Sequence, residues 1–131
     1  MSLFARGLVI SRPTRTILGV RVDESRLTAA YLLANRKHGT LYLGSALDLI
    51  ARMSEHKSGA GSQFAAKYGV DRLVWFQQFM LVSEARDREY EMKKWRREWK
   101  INLIEEENPD WDDLYPTLIG ATPIRSRWRP G

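Results

Sequence analysis

Cysteine is absent from the 131 residues. That absence removes disulfides, thiolate nucleophiles and cysteine-based zinc sites, and it fits a reducing compartment such as the cytoplasm. Histidine is nearly as scarce. Only His38 and His56 occur, too few for a metal site built from several imidazoles. No apolar run approaches the roughly 18 residues of a membrane-spanning helix, so no membrane association is expected. Near the amino-terminal end, Arg6, Arg12, Pro13 and Arg15 interrupt the apolar residues, leaving no continuous segment of the secretory-signal type.

What is present is a globular composition, 44% hydrophobic and 28% charged, at a length suited to one domain. The net charge of +5 suggests an anionic partner, but its distribution changes the inference. Residues 1–27 carry five arginines against Asp23 and Glu24, and Arg125, Arg127 and Arg129 lie near the other end. Between them, residues 28–120 hold thirteen basic and fourteen acidic side chains. The high isoelectric point therefore reflects the flanks. Within the middle, acids gather after Ile104, so that residues 28–104 stand at +5 and one face is expected to be basic. The sequence is accordingly divided into a basic, disordered extension over 1–27, a domain over 28–118 and a basic tail over 119–131.

Ala29 to Ala34 is a compact apolar run, followed by turn-type residues from Asn35 to Gly39 and then Thr40-Leu41-Tyr42-Leu43-Gly44. This predicts a β-hairpin, with Gly39 as the residue of positive φ. Ser45, with Asp48 three residues on, reads as the capped start of a helix running to Lys57. Ala46, Leu49, Ile50 and Met53 would share its core face. The segment to Gly69 reads as a loop. Leu73 to Phe76 reads as a third strand, Val82 to Lys93 as a second helix, and the Trp-rich sequence to Glu107 as a third, stopped by Asn108-Pro109. The expected fold class is α+β: a small three-stranded antiparallel sheet flanked by helices as an α/β sandwich, in the order β-β-α-β-α-α.

Arg52 and His56, four apart, project from one side of the first helix. They suit phosphate chemistry or simply a solvated face. Glu89 falls among Val82, Ala85 and Met92 on the second helix, where an unpartnered carboxylate is costly. It should meet a metal, a cation such as Arg52, or a cleft. Tyr31 and Tyr42 occupy the hairpin strands, where aromatic residues also serve packing.

Taken together, Ala29-Ala30-Tyr31, Tyr42-Leu43-Gly44, Arg52, His56 and Glu89 form a pattern that resembles the GIY-YIG nuclease superfamily. The stretches around Asn35–Gly59, Lys67–Trp75 and Arg88–Pro116 look like the small bacterial members related to the UvrC endonuclease domain. The resemblance covers residues 28–118 and implies a metal-dependent DNA endonuclease, acting on structured, damaged or single-stranded DNA in repair or recombination. It further implies roles at the site. Tyr42 would activate the attacking water or act as nucleophile, His56 would relay its proton, and Tyr31 would support the site. Arg52 would neutralise the scissile phosphate and Glu89 would bind one Mg²⁺ or Mn²⁺. Ser45 stands where UvrC has lysine, and Lys67 is a candidate source of that positive charge. Lys93, Lys94, Arg96, Arg97 and Lys100, interleaved with Trp95 and Trp99, are candidate DNA-backbone contacts, with the tryptophans expected to pack. A monomer or weak dimer is expected. The competing reading is a non-catalytic nucleic-acid-binding module.

Overall fold

A computed structural model of the chain describes residues 26–120 together with two short strands before them, β1 (Arg15–Ile17) and β2 (Val20–Val22). These two pair antiparallel with each other and form a sheet of their own. The rest of the expected extension, and the tail beyond residue 120, lie outside the described residues. Leu27 belongs to the domain, its side chain fully buried in the core.

The main sheet has the order β4-β3-β5, with both pairings antiparallel: β3 (Ala29–Ala34) lies between β4 (Leu41–Ala46) and β5 (Arg72–Gln78). All six residues of β3 are buried, which is why its sequence is a continuous apolar run rather than an alternating one. Alternation reappears in where the side chains go. Ala29, Tyr31 and Leu33 join Leu49 and Met53 of helix α1 (Leu49–Lys57), Ala65 of α2 (Gln63–Tyr68) and Leu118 of α5 (Tyr115–Leu118). Ala30, Leu32 and Ala34 join Met92 of α3 (Val82–Lys93), Ile104 of α4 (Arg97–Glu107) and Trp111. The sheet is thus covered on both sides, and the expected α+β sandwich is the fold.

Three local expectations are corrected. Ser45 does not cap a helix: it pairs with Ala30 inside β4, and Asp48 is the residue before α1, its side chain accepting from the Ala51 N–H at 3.5 Å. Both residue types cap helices well; the extension of the ladder to Ala46 decides between them. The positive φ in the β3–β4 turn falls on His38, at 60°, and not on Gly39. Gly39 is required for space, since a Cβ there would run into the Asn35 side chain, which instead accepts from the Thr40 N–H at 2.9 Å. The stretch read as a loop before Gly69 contains α2, begun by Ser62 accepting from the Ala65 N–H and ended by Gly69 in the left-handed region at φ 65°.

A bulge in the β3–β5 pairing leaves Val74 without a partner on β3, so Val74 and Trp75 both face the α3–α4 side. The unpaired Val74 carbonyl accepts from Asn108 Nδ2 at 3.1 Å. The same amide donates to the Asp112 carbonyl at 2.9 Å, while its Oδ1 accepts from the Asp112 N–H at 3.0 Å. Asn108 is buried and gives up three hydrogen bonds on truncation. Asn108→Ala is expected to cost about 2–4 kcal/mol, because buried groups on Val74 and Asp112 lose their partner. A fall in the denaturation midpoint at unchanged slope checks this; an unchanged midpoint would mean that other groups satisfy them. Asp113 fastens the next turn, accepting from the Leu73 N–H at 3.2 Å and pairing with Lys57 Nζ at 2.6 Å.

Candidate functional site

The site is built around β4, whose alternation sends neighbouring residues to opposite sides of the sheet. Tyr42 and Gly44 face α1. Ser45 faces α3. Tyr31, on the central strand directly opposite Gly44, is fully buried. A Cβ at Gly44 would lie 2.7 Å from the Tyr31 hydroxyl, so only glycine leaves room for that phenol.

Behind it sits His56, 6% exposed, with Nε2 at 3.3 Å from the Tyr31 hydroxyl. Its Nδ1 is buried without a hydrogen-bond partner, and a Cβ at Gly61 would stand 2.6 Å from that nitrogen. Gly61 therefore gives the imidazole its space, as Gly44 does for the phenol. The Tyr42 ring closes the cluster, its centroid 6.3 Å from Tyr31 and 5.5 Å from His56. Tyr42 is half-buried where Tyr31 is not exposed at all, which makes it the phenol that solvent or a substrate can reach.

Arg52 lies one helical turn before His56. Its positive charge lowers the Tyr31 pKa, and its Nε is 3.4 Å from Glu55 Oε1 in a pair whose members are 41% and 57% exposed. Such a pair is weak and exchangeable. A phosphate can take the carboxylate's place.

Burial, followed by the neighbouring Tyr42, pushes the Tyr31 pKa up to about 12 despite the opposing influence of Arg52; Glu89 also contributes to the rise. Tyr31 is consequently a protonated phenol at neutral pH, a donor and not a base. His56 is lowered from its ordinary 6.5, first by burial and then by Arg52, against smaller opposing effects from Glu55 and Asp71. It is neutral at pH 7. Because the folded state resists charging this imidazole while the unfolded chain accepts a proton near 6.5, stability is present above that pH and is lost as pH falls through the lower folded value. Replacing His56 by glutamine is expected to flatten this acid-side loss, read as the slope of unfolding free energy against pH. An unaltered slope would assign the acid sensitivity elsewhere.

Glu89 comes from the opposite side of the sheet. Its Oε1 accepts from the Ser45 hydroxyl at 2.5 Å, and its Oε2 is 3.0 Å from Lys93 Nζ. It sits beside buried Ala85 and Met92 as the helical wheel predicts, yet it is 21% exposed, at the strand edge. Its cation is Lys93 one turn away, not Arg52. Its charge adds a small upward push to the Tyr31 pKa, behind burial and Tyr42. Among the described residues no group of three or more histidine, aspartate or glutamate side chains is placed to hold a metal ion. A single carboxylate with a hydroxyl beside it is the hard-oxygen donor set here, and it suits an ion such as Mg²⁺ that keeps most of its water.

The other expected site residues divide. Lys67 lies on α2 with its Nζ 5.4 Å from the Tyr68 ring, near the Tyr42 cluster. Lys94 covers Tyr90 at 4.4 Å and Arg96 covers Trp99 at 5.7 Å, all exposed around the α3–α4 junction. Lys93 is engaged by Glu89. Arg97 donates to the carbonyls of His38 at 2.8 Å and Gly39 at 2.5 Å, tying down the β3–β4 turn. Lys100 is half-buried, its pKa lowered by burial and then by Arg97 and Lys93. Trp95 packs against the core as expected, while Trp99 is 49% exposed. Sequence reasoning missed Gly61, Phe64, Tyr68 and the partnership of Ser45 with Glu89. Of these only Ser45 carried a signal, standing three residues after Tyr42.

Residues 28–102 match the family model described as the GIY-YIG catalytic domain. A UPF0213 protein of Staphylococcus aureus (strain Mu3) is 38% identical over 68 residues, which are 52% of this chain and 83% of that protein. A UPF0213 protein of Staphylococcus saprophyticus is 39% identical over 70 residues, 53% of this chain and 85% of that one. The solution NMR structure of a UPF0213 protein from Bacillus halodurans aligns with 72% of this chain and 98% of its own length at 28% identity, with a TM-score of 0.42. The matched span starts one residue before β3, runs through every side chain gathered around β4 and takes in more than half of the sequence, and the chain belongs to the GIY-YIG family.

Proposed function

We propose that the protein is a divalent-metal-dependent endonuclease that hydrolyses phosphodiester bonds in DNA. The observation that carries this reading is the meeting, at one strand, of an accessible phenol beside a neutral imidazole with an exchangeable arginine, and of a half-buried carboxylate on the other side. Each has a use in hydrolysis. Arg52 holds the phosphate in place of Glu55 and offsets the charge that builds on its oxygens. Tyr42 orients the attacking water, and the His56–Tyr31 pair packed against its ring holds the phenol in place. The water oxygen bonds to phosphorus, the bond to one sugar oxygen breaks, and that oxygen leaves with a proton.

Glu89 and Ser45 are the residues that would hold Mg²⁺ or Mn²⁺, with the exposed Lys93 ammonium swinging aside. When bound, the ion supplies positive charge at the phosphate and leaving oxygen. Exposed Lys67, Lys94 and Arg96, held over aromatic rings, are cations that can meet the DNA backbone. The cysteine-free composition suits work in a reducing cytoplasm.

The test is incubation of the purified chain with labelled DNA and RNA structures in Mg²⁺, Mn²⁺ or chelator. Ion-dependent DNA cleavage supports the reading. The Lys93–Glu89 contact is what favours a binding-only module: absence of cleavage with every ion, alongside salt-sensitive binding, would select it.

A further inference from the structure

Two large aromatic rings stand half-exposed beside the catalytic cluster and have no part in the chemistry above. Phe64 is 45% and Tyr68 47% exposed. They lie four apart on α2, on one side of that helix, while Ala65 anchors it in the core. Phe64 stacks on Tyr42 with centroids 6.2 Å apart and planes inclined by 28°, and Tyr68 follows at 4.9 Å from Phe64. A continuous path of rings thus runs from the buried Tyr31–His56 pair through Tyr42 to the surface. Their backbone is held at both ends, by Ser62 at the start of α2 and Gly69 at its close. Lys67 places a cation 5.4 Å from the outermost ring.

We propose that Phe64 and Tyr68 form a stacking subsite for an unpaired nucleobase flanking the scissile phosphate. This rests on the endonuclease reading and adds a substrate class to it. A ring surface in water beside a phosphate-binding arginine is suited to the π-face of a base, and Lys67 to the adjoining phosphate. Bases in an intact duplex already stack on their neighbours and have no free face to give. The subsite therefore favours DNA with an unpaired stretch at the cut: single strands, flaps, bulges or gaps. It requires no particular base, since every base has a π-face.

The experiment is equilibrium binding of fluorescein-labelled single-stranded and fully paired DNA of equal length to the full chain in chelator, where nothing is cut. In parallel, cleavage of a flapped duplex is followed in Mg²⁺. The variants are Phe64→Ala/Tyr68→Ala, Phe64→Trp/Tyr68→Trp and Arg52→Ala. The double alanine variant, with unaltered circular dichroism, is expected to lose roughly 10- to 100-fold in single-strand affinity and less than about threefold for the duplex. The double tryptophan variant keeps the wild-type preference. Equal losses on both DNAs, or none, overturn the subsite. Ring-dependent self-association in sedimentation without a change in DNA preference also overturns it, assigning the rings to a second copy of the chain. The two readings fail separately. Wild type that prefers single strands through these rings but cleaves nothing refutes the endonuclease and keeps the subsite; ion-dependent cleavage with a ring-independent preference does the reverse.

Discussion

Arg52→Ala is expected to reduce single-turnover cleavage about 10²- to 10³-fold, the scale seen when one charged or hydrogen-bonding group is removed from a developing oxyanion. The fold should tolerate the change. Arg52 is 41% exposed and its pair with Glu55 is a surface contact, so the stability cost is within about 1 kcal/mol. Loss of the guanidinium also removes an influence that lowers Tyr31 and another that lowers His56. The Tyr31 phenol is already protonated at neutral pH, so its state does not change there; His56 moves back toward its ordinary value. The predicted signature is a large fall in rate with preserved thermal stability. Arg52→Lys should recover only part of the rate, because an ammonium does not reproduce the planar fork. Near-wild-type cleavage by Arg52→Ala would remove the arginine from the phosphate.

Glu89→Gln should have an effect of comparable size and a different character. The Ser45 hydroxyl can donate to the glutamine oxygen as it does to Glu89 Oε1, and the side chain keeps its volume, so packing beside Ala85 and Met92 is retained. What disappears is the negative charge. Cleavage is expected to fall by about 10²-fold or more, and the concentration of Mg²⁺ or Mn²⁺ needed for half-maximal rate should rise steeply. Loss of this carboxylate also frees Lys93, now paired with it at 3.0 Å, and DNA affinity in chelator should hold or increase. A divalent-ion titration of cleavage alongside binding in chelator separates these effects. An unchanged rate and ion requirement would reduce Glu89 to the partner of Ser45 and Lys93.

These residues also show what a sequence can and cannot convey. The six-residue apolar run of β3 reads directly, since a strand buried on both faces has no other way to appear. The core face of α1 is equally legible from its period. The helical wheel turns Glu89 toward Ala85 and Met92, but a wheel gives direction without saying what waits there. The hydroxyl of Ser45 and the strand edge make that position less apolar than Ala85 and Met92 imply. Ser45 itself was misread because serine before an acidic residue is a good helix start, and only ladder pairing with Ala30 shows that the strand continues. Helix α2 is too short to display a period. The need for glycine at 61 follows from where the His56 ring lies, which no local pattern encodes. Arg97 looked like one more cation in a basic cluster, and its bonds to His38 and Gly39 join positions far apart in sequence.

One consequence of the β4-β3-β5 order concerns company rather than catalysis. Among the described residues β4 pairs with β3 alone, so its other edge offers unpaired backbone groups of the kind that recruit foreign strands. Glu89, which accepts from Ser45 of β4, and Lys93 beside it place opposite charges next to that strand. A strand arriving from another molecule would have to cover these charges. Charges beside an edge strand oppose such pairing, so this edge is expected to resist extension of the sheet by a second molecule.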